Sequence, residues 1–199
     1  ALLTSIVNHL NPEKYEVDII EYYHAGIKTE PINKNINILP YIHSPKRLKG
    51  YFQTLQLYTC PKLITNQYIK RNYDLYVSFN YLVPTFLLPE GTKNIAWIHG
   101  DVYDLAEKKS LWKRKKQNTA FNNIQTIVAI SDITEKSVRE LFPQHKSKII
   151  KLYNGIDTER IREKALDNTT IKLNTPSMLF IGRLEAGKDP IRLVRVYNC

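Results

Sequence analysis

The segment Gln125-Thr-Ile-Val-Ala-Ile130 constrains the fold more than any other: it is almost wholly apolar, does not alternate with polar residues, and stops at Ser131-Asp132. A strand with one wet face alternates, whereas a run without alternation is typical of a parallel strand covered on both faces. Parallel neighbours need crossover connections of a dozen or more residues, so helices must intervene. The rest of the chain keeps that rhythm. Strands are expected over 15–22, 35–39, 73–79, 94–99, 148–153 and 177–181. Helices are expected over 2–10, over 46–71 with a break near Pro61, over 84–88, over about 105–122, and over 132–141, where Ser131 or Asp132 can accept from the orphan amides of the first turn. The fold class that follows is α/β, a doubly wound parallel sheet with the start of a second, similar domain.

At 199 residues, and about 150 per domain, the chain holds one full domain and a remainder. Composition turns polar from Asp157 to Pro176, with Asp167-Asn-Thr-Thr170 as a loop signal. A first domain is therefore expected over 1–154, a hinge over 155–176, and the beginning of a second domain over 177–199. A hydrophobic fraction of 43% excludes a long disordered or collagen-like chain. Two cysteines, Cys60 and Cys199, form no disulfide framework or zinc spacing, which fits a reducing compartment. No apolar run reaches the roughly 18 residues of a spanning helix, and no leader is evident, so a cytoplasmic protein is expected. The chain opens inside an apolar helical pattern and reaches Cys199 without a helix stop, which leads us to expect a fragment.

In such sheets ligands sit beyond the carboxyl ends of the strands, which directs attention to Asn80, His99, Asp101, Ser131, Asn154 and Arg183. The strongest local signal is Phe180-Ile-Gly182-Arg183-Leu184-Glu-Ala-Gly-Lys188-Asp189-Pro190, an expected strand end with two cations five positions apart before a helix start. Gly182 lets a ligand approach the backbone. Arg183 offers a planar fork of donors and Lys188 a mobile point charge, a pair suited to a diphosphate whose charge grows as it leaves. On residue types alone, a surface pair around a turn serves as well.

Four segments, Ala96-Trp-Ile-His99-Gly100-Asp101, Val128-Ala-Ile-Ser131-Asp132, Tyr153-Asn154-Gly155-Ile156-Asp157 and the Gly182-Arg183-Leu184 stretch with Lys188, occur in this order at expected strand ends. Together the chain resembles the retaining glycosyltransferases of the GT-B fold, in the large family numbered four that builds bacterial surface polysaccharides and glycolipids. The resemblance implies two Rossmann-like domains, an acceptor side first and a nucleotide-sugar side second. By that resemblance Arg183 and Lys188 grip the donor diphosphate with Gly182 beside them, Asn154 and Gly155 lie at the interdomain turn on the donor side, and His99 sits beside the donor sugar. The catalytic set is then His99, Arg183 and Lys188, and the acceptor set Asn80, Asp101 and Ser131. No cofactor and no metal is implied, since the cations meet the leaving charge, and the sequence contains no DxD triplet. Partners would be a nucleotide sugar and a glycan or lipid-linked acceptor. The family also has an opening strand, a Gly-rich loop and a distal acidic pair not present here, so these 199 residues alone are expected to transfer no sugar.

Read as chemistry, His99 could donate to a sugar hydroxyl or serve as a structural histidine. Asp101 could orient an acceptor hydroxyl or cap the following turn, and Asn80 and Ser131 divide in the same way. A separate feature is the run from Lys108 to Lys116, in which Lys108, Lys109, Lys113, Arg114, Lys115 and Lys116 surround Leu111 and Trp112. It could lie on an anionic membrane, at about 1 kcal/mol per cation, with Trp112 at headgroup level, making the protein peripheral on the inner face. Alternatively it is a solvated helix face with Leu111 and Trp112 turned to the core. The net charge of +10 and the aromatic content also suit a nucleic-acid binder, yet no zinc-finger or RNA-recognition signature is present. A dinucleotide enzyme would need a Gly-x-Gly-x-x-Gly after a strand, which is absent, and a nucleotide-sugar epimerase shares the architecture without the Arg183 and Lys188 element.

Overall fold

The computed structural model describes residues 2–23, 31–43, 47–80, 83–103, 111–166, 176–182, 184 and 188–197. The chain divides into two compact units, Ala1–Asp157 and Thr158–Cys199. The strands of the first unit are β1 (Val17–Ile20), β2 (Ile36–Leu39), β3 (Tyr76–Ser78), β4 (Asn94–Ile98), β5 (Thr126–Ala129) and β6 (Ile149–Lys151). All of their pairings are parallel, β1 with β2 and β3 to β6 in chain order, with Ile98 opposite Ala129 and Ala129 opposite Lys151. The fold is α/β with parallel strands and intervening helices, as the apolar run predicts. The strands form two sheets rather than one continuous ladder. Side chains tie β1 to the approach to β3: the Tyr73 hydroxyl donates to Asp18, and Arg71 pairs with Glu16 at 2.7 Å and with Asp18 at 3.5 Å. Burial, then the Asp18 hydrogen bond, push the Tyr73 phenol up to about 12.

Helices of this unit are α1 (Leu2–Asn8), α2 (Arg47–Thr59), α3 (Pro61–Tyr68), α4 (Val83–Phe86), α5 (Leu111–Asn122) and α6 (Asp132–Leu141), and a 3-10 turn over Pro143–Lys148 leads into β6. Pro61 falls at the first turn of α3, where a missing N–H is harmless, so the break between α2 and α3 sits where the sequence places it. The start of the helix expected from 105 lies outside the described residues. Along β5, Ile127, Val128 and Ala129 are all buried, because β5 is an inner strand. The edge strands β3 and β6 leave Val77 and Ile150 exposed. Ala96, Ile98, Ile127 and Ala129 form one core cluster with Leu57 of α2, Ile64 of α3, Phe121 of α5 and Val138 of α6.

The amino end of β4 is fixed by a buried amide. Asn94 Nδ2 donates to the carbonyls of Pro89 (2.7 Å) and Asn123 (2.9 Å), its Oδ1 accepts from Thr92 Oγ1 (3.0 Å), and its backbone N–H donates to Gln125 Oε1 (2.6 Å). A fully buried amide is tolerable because its donors and acceptor are occupied.

Two local expectations change in the second unit. The polar stretch read as hinge contains a helix, α7 (Thr158–Leu166), whose Glu, Arg, Lys, Ala and Leu favour helix although few are apolar. Residues 177–181, expected as a strand, have strand-like composition but no ladder partner among the described residues. The last helix, α8 (Pro190–Tyr197), begins where Pro190 predicts. Asp189 Oδ1 accepts from the Arg192 N–H at 3.2 Å, with Asp189 itself at a φ of 42°.

Candidate functional site

Because β3 to β6 run parallel and side by side, their carboxyl ends share one edge of the sheet. Phe79 and Asn80 follow β3, His99 to Asp101 follow β4, Ser131 follows β5, and Asn154 and Gly155 follow β6. His99 and Trp97, two apart on one strand line, share a face. Their rings stack at 6.0 Å and 16°, and Phe79 closes on His99 at 4.3 Å and on Trp97 at 5.3 Å. The imidazole is thus held in an aromatic bracket. Burial lowers its pKa, which favours the uncharged imidazole at neutral pH, with one ring nitrogen able to donate and the other able to accept.

Three buried polar atoms at this edge and beside it have no protein partner: His99 Nε2, Trp97 Nε1 and the Asn154 side-chain oxygen. Leaving such groups unpaired costs about 1–3 kcal/mol each. A ligand bearing hydroxyl groups would satisfy them, since it can both donate and accept.

The loop carrying His99 is tied down. Gly100 has a φ of 114°, and its carbonyl accepts from Thr134 Oγ1 at 3.0 Å. Ser131 caps α6, its hydroxyl accepting from the Thr134 N–H at 3.2 Å. Asp101 Oδ1 accepts from the Tyr103 N–H at 2.9 Å. Both Ser131 and Asp101 thus make a capping contact. The Asn80 carbonyl accepts from Ser78 Oγ at 3.4 Å. Asp132 receives Lys151 at 2.5 Å and the Tyr153 hydroxyl at 3.0 Å, which joins the end of β5 to the end of β6. The hydrogen bond from Lys151 is the main cause of the lowered Asp132 pKa.

In the second unit, Gly182 and Lys188 are exposed, and Arg183 lies outside the described residues. A Cβ on Gly182 would stand 3.0 Å from the Phe180 ring, so glycine relieves that contact. Of the basic run, Lys108 and Lys109 also lie outside the described residues. Leu111, Trp112, Arg114 and Lys115 are exposed, which removes the core-facing reading of Leu111 and Trp112. Lys113 lies 5.3 Å over the Tyr58 ring, and Lys116 turns inward to donate to the Tyr58 carbonyl. Burial lowers the Lys116 pKa.

Sequence reasoning passed over Trp97 and Phe79 as the walls around His99, and over the Asp132, Lys151 and Tyr153 clasp. The i, i+2 spacing of Trp97 and His99 was the available signal for the first. Nothing local in the sequence announces the second, because its members lie on different elements. Among the described residues no group of three or more His, Cys, Asp or Glu could hold a metal ion, and no helix is long and apolar enough to cross a membrane.

A parallel α/β sheet with intervening helices and its strand ends along one edge defines the class as a Rossmann-like domain. Residues 2–160 match the sequence profile described as Glycosyltransferase Family 4. The chain belongs to that family, the one its strand-end motifs resemble, and its domain is that of a glycosyltransferase. No curated protein matches the sequence.

Proposed function

We propose that the protein moves a sugar from a nucleotide-diphosphate donor to a glycan or lipid-linked acceptor with retention of anomeric configuration, in the synthesis of a bacterial surface polysaccharide or glycolipid at the cytoplasmic side of the membrane. The observation that carries this reading is the geometry around His99, bracketed by Phe79 and Trp97 with a buried, unpartnered Nε2. An uncharged imidazole can share hydrogen bonds with sugar hydroxyls without placing a cation beside an oxocarbenium-like centre. The Asn154 side-chain oxygen adds an acceptor for a hydroxyl.

In the proposed step the acceptor oxygen bonds to the anomeric carbon on the face from which the nucleotide departs. The bond from that carbon to the phosphate oxygen breaks, its electron pair leaves on the diphosphate, and the acceptor proton passes to the departing phosphate oxygen. Arg183 and Lys188 stabilise the diphosphate electrostatically, a role in which no metal is required. Gly182 leaves room for its close approach. Asp101 and Ser131 act on the acceptor side by fixing the His99 loop and the start of α6, with Asn80 beside them. The 199 residues by themselves are proposed to be inactive.

The test is replacement of Arg183 by Ala in the intact enzyme, with transfer followed by release of nucleoside diphosphate. A loss of about a hundredfold or more in kcat is expected, the scale of removing one preorganised charge-stabilising donor. Near-normal kcat would remove the role assigned to Arg183, and an epimerised sugar in place of a transferred one would overturn the reading as a whole.

A further inference from the structure

Helix α2 is built inside out relative to an ordinary surface helix. Its buried side carries Gly50, Gln53 and Leu57, while Tyr51, Phe52 and Leu55 face outward. With Leu111 and Trp112 of α5 they keep 49–75% of their surface exposed. An amphipathic helix in water turns its apolar stripe to the core, so an outward aromatic stripe indicates a partner.

The outward face of α2 and the first turn of α5 are one surface, because Tyr58 joins them. Tyr58 continues the Tyr51 and Leu55 line at i+7 and i+3, its ring meets Trp112 at 5.4 Å, and Lys113 lies over it. Lys116, bound to the Tyr58 carbonyl and 5.6 Å over the Phe86 ring, fastens the two helices from below. Around the apolar strip stand Lys49, Arg114 and Lys115, all exposed. Neither helix contains a single Asp or Glu.

That composition selects the partner. Protein interfaces deplete Lys at their centres, whereas aromatic rings flanked by Lys and Arg suit the boundary between lipid headgroups and acyl chains. We propose that the α2 and α5 surface docks on an anionic phospholipid bilayer, with Tyr51, Phe52, Leu55 and Trp112 at headgroup depth and Lys113, Arg114 and Lys115 against lipid phosphates. Docking of this kind would serve the lipid-linked acceptor proposed above. It can fail while the transferase reading stands, because vesicle binding needs neither donor nor acceptor.

The experiment is co-sedimentation of the chain with vesicles of phosphatidylcholine alone and of phosphatidylcholine with 30%, by design about one lipid in three, phosphatidylglycerol. Binding is expected only with the anionic vesicles, falling as salt rises. Two variants remove different halves of the surface: Lys113→Glu with Arg114→Glu and Lys115→Glu, and Tyr51→Ser with Phe52→Ser and Leu55→Ser. Each should weaken binding at least tenfold while far-ultraviolet circular dichroism stays unchanged. Because these side chains are exposed, apart from the partly exposed Lys113, folding should survive; if either triple variant misfolds, the single changes Arg114→Glu and Phe52→Ser, each expected to weaken binding severalfold, replace it. A blue shift of tryptophan emission on vesicle addition that disappears in Trp112→Phe would place that ring in the lipid. Equal binding to neutral vesicles, undiminished binding by the variants, or a dimer that buries the strip and ignores vesicles would overturn the proposal.

Discussion

At the scale of single residues, the loop that carries His99 turns where a side chain would be strained. Gly100 is that position. Its φ of 114° is disfavoured for any residue with a side chain, yet a Cβ there would meet nothing within 4 Å. The cost of Gly100→Ala is therefore backbone strain without a clash, and we expect a loss of about 1–3 kcal/mol, read as a lower urea midpoint at an unchanged slope. A loss far above that range would mean that the loop had moved to escape the strain, which loss of the Thr134 hydrogen bond to the Gly100 carbonyl would reveal. His99 was legible in the sequence by its place after a strand. Its surroundings were not, because Phe79 arrives from a neighbouring strand and pairing register is not written in either segment.

At the scale of elements, α6 shows how one cap supports a site from outside it. Ser131→Ala should reduce stability by about 1 kcal/mol through loss of the acceptor for the Thr134 N–H, and Ser131→Asp should restore most of it, both measured by urea unfolding. An unchanged midpoint for the alanine variant would show that the cap contributes nothing. The strands β3 to β6 were readable because each is a short run of β-branched or aromatic residues between turn signals. Helix α7 was not, since Thr158 to Leu166 is mostly charged and its helical preference lies in propensity rather than in apolar spacing. Residues 177–181 are the converse: the apolar run Met178-Leu-Phe-Ile181 permits a strand, but a strand needs another to offer a ladder, and none does among the described residues. The division of the parallel strands into two sheets is likewise a matter of pairing, to which local sequence is blind.

At the scale of the whole molecule, two histidines tie folding to pH. Burial lowers the pKa of His99 and of His145, whose Nε2 meets the Asn118 carbonyl at 3.1 Å, below the ordinary value near 6.5. Below that value the unfolded chain binds more protons than the folded one, so stability is full above about 6.5 and declines as pH falls toward the folded values. The slope is at most about 1.4 kcal/mol per pH unit for each histidine. Urea unfolding at pH 7, 6 and 5 should show the decline, and His145→Gln should reduce it; constant stability across that interval would contradict it. Glu16 and Asp132, held below their ordinary values by Arg71 and Lys151, add their share only in more acidic solution. Under the role proposed for His99, the knot around Asn94 would bear on activity from the far end of β4. A short rod clamped at its base has a steady tip, and His99 is carried just past that tip. Damage to the clamp should accordingly surface as scatter in where the imidazole stands, so that a change some 17 Å away could look, in kinetics, like an injury to the reaction itself.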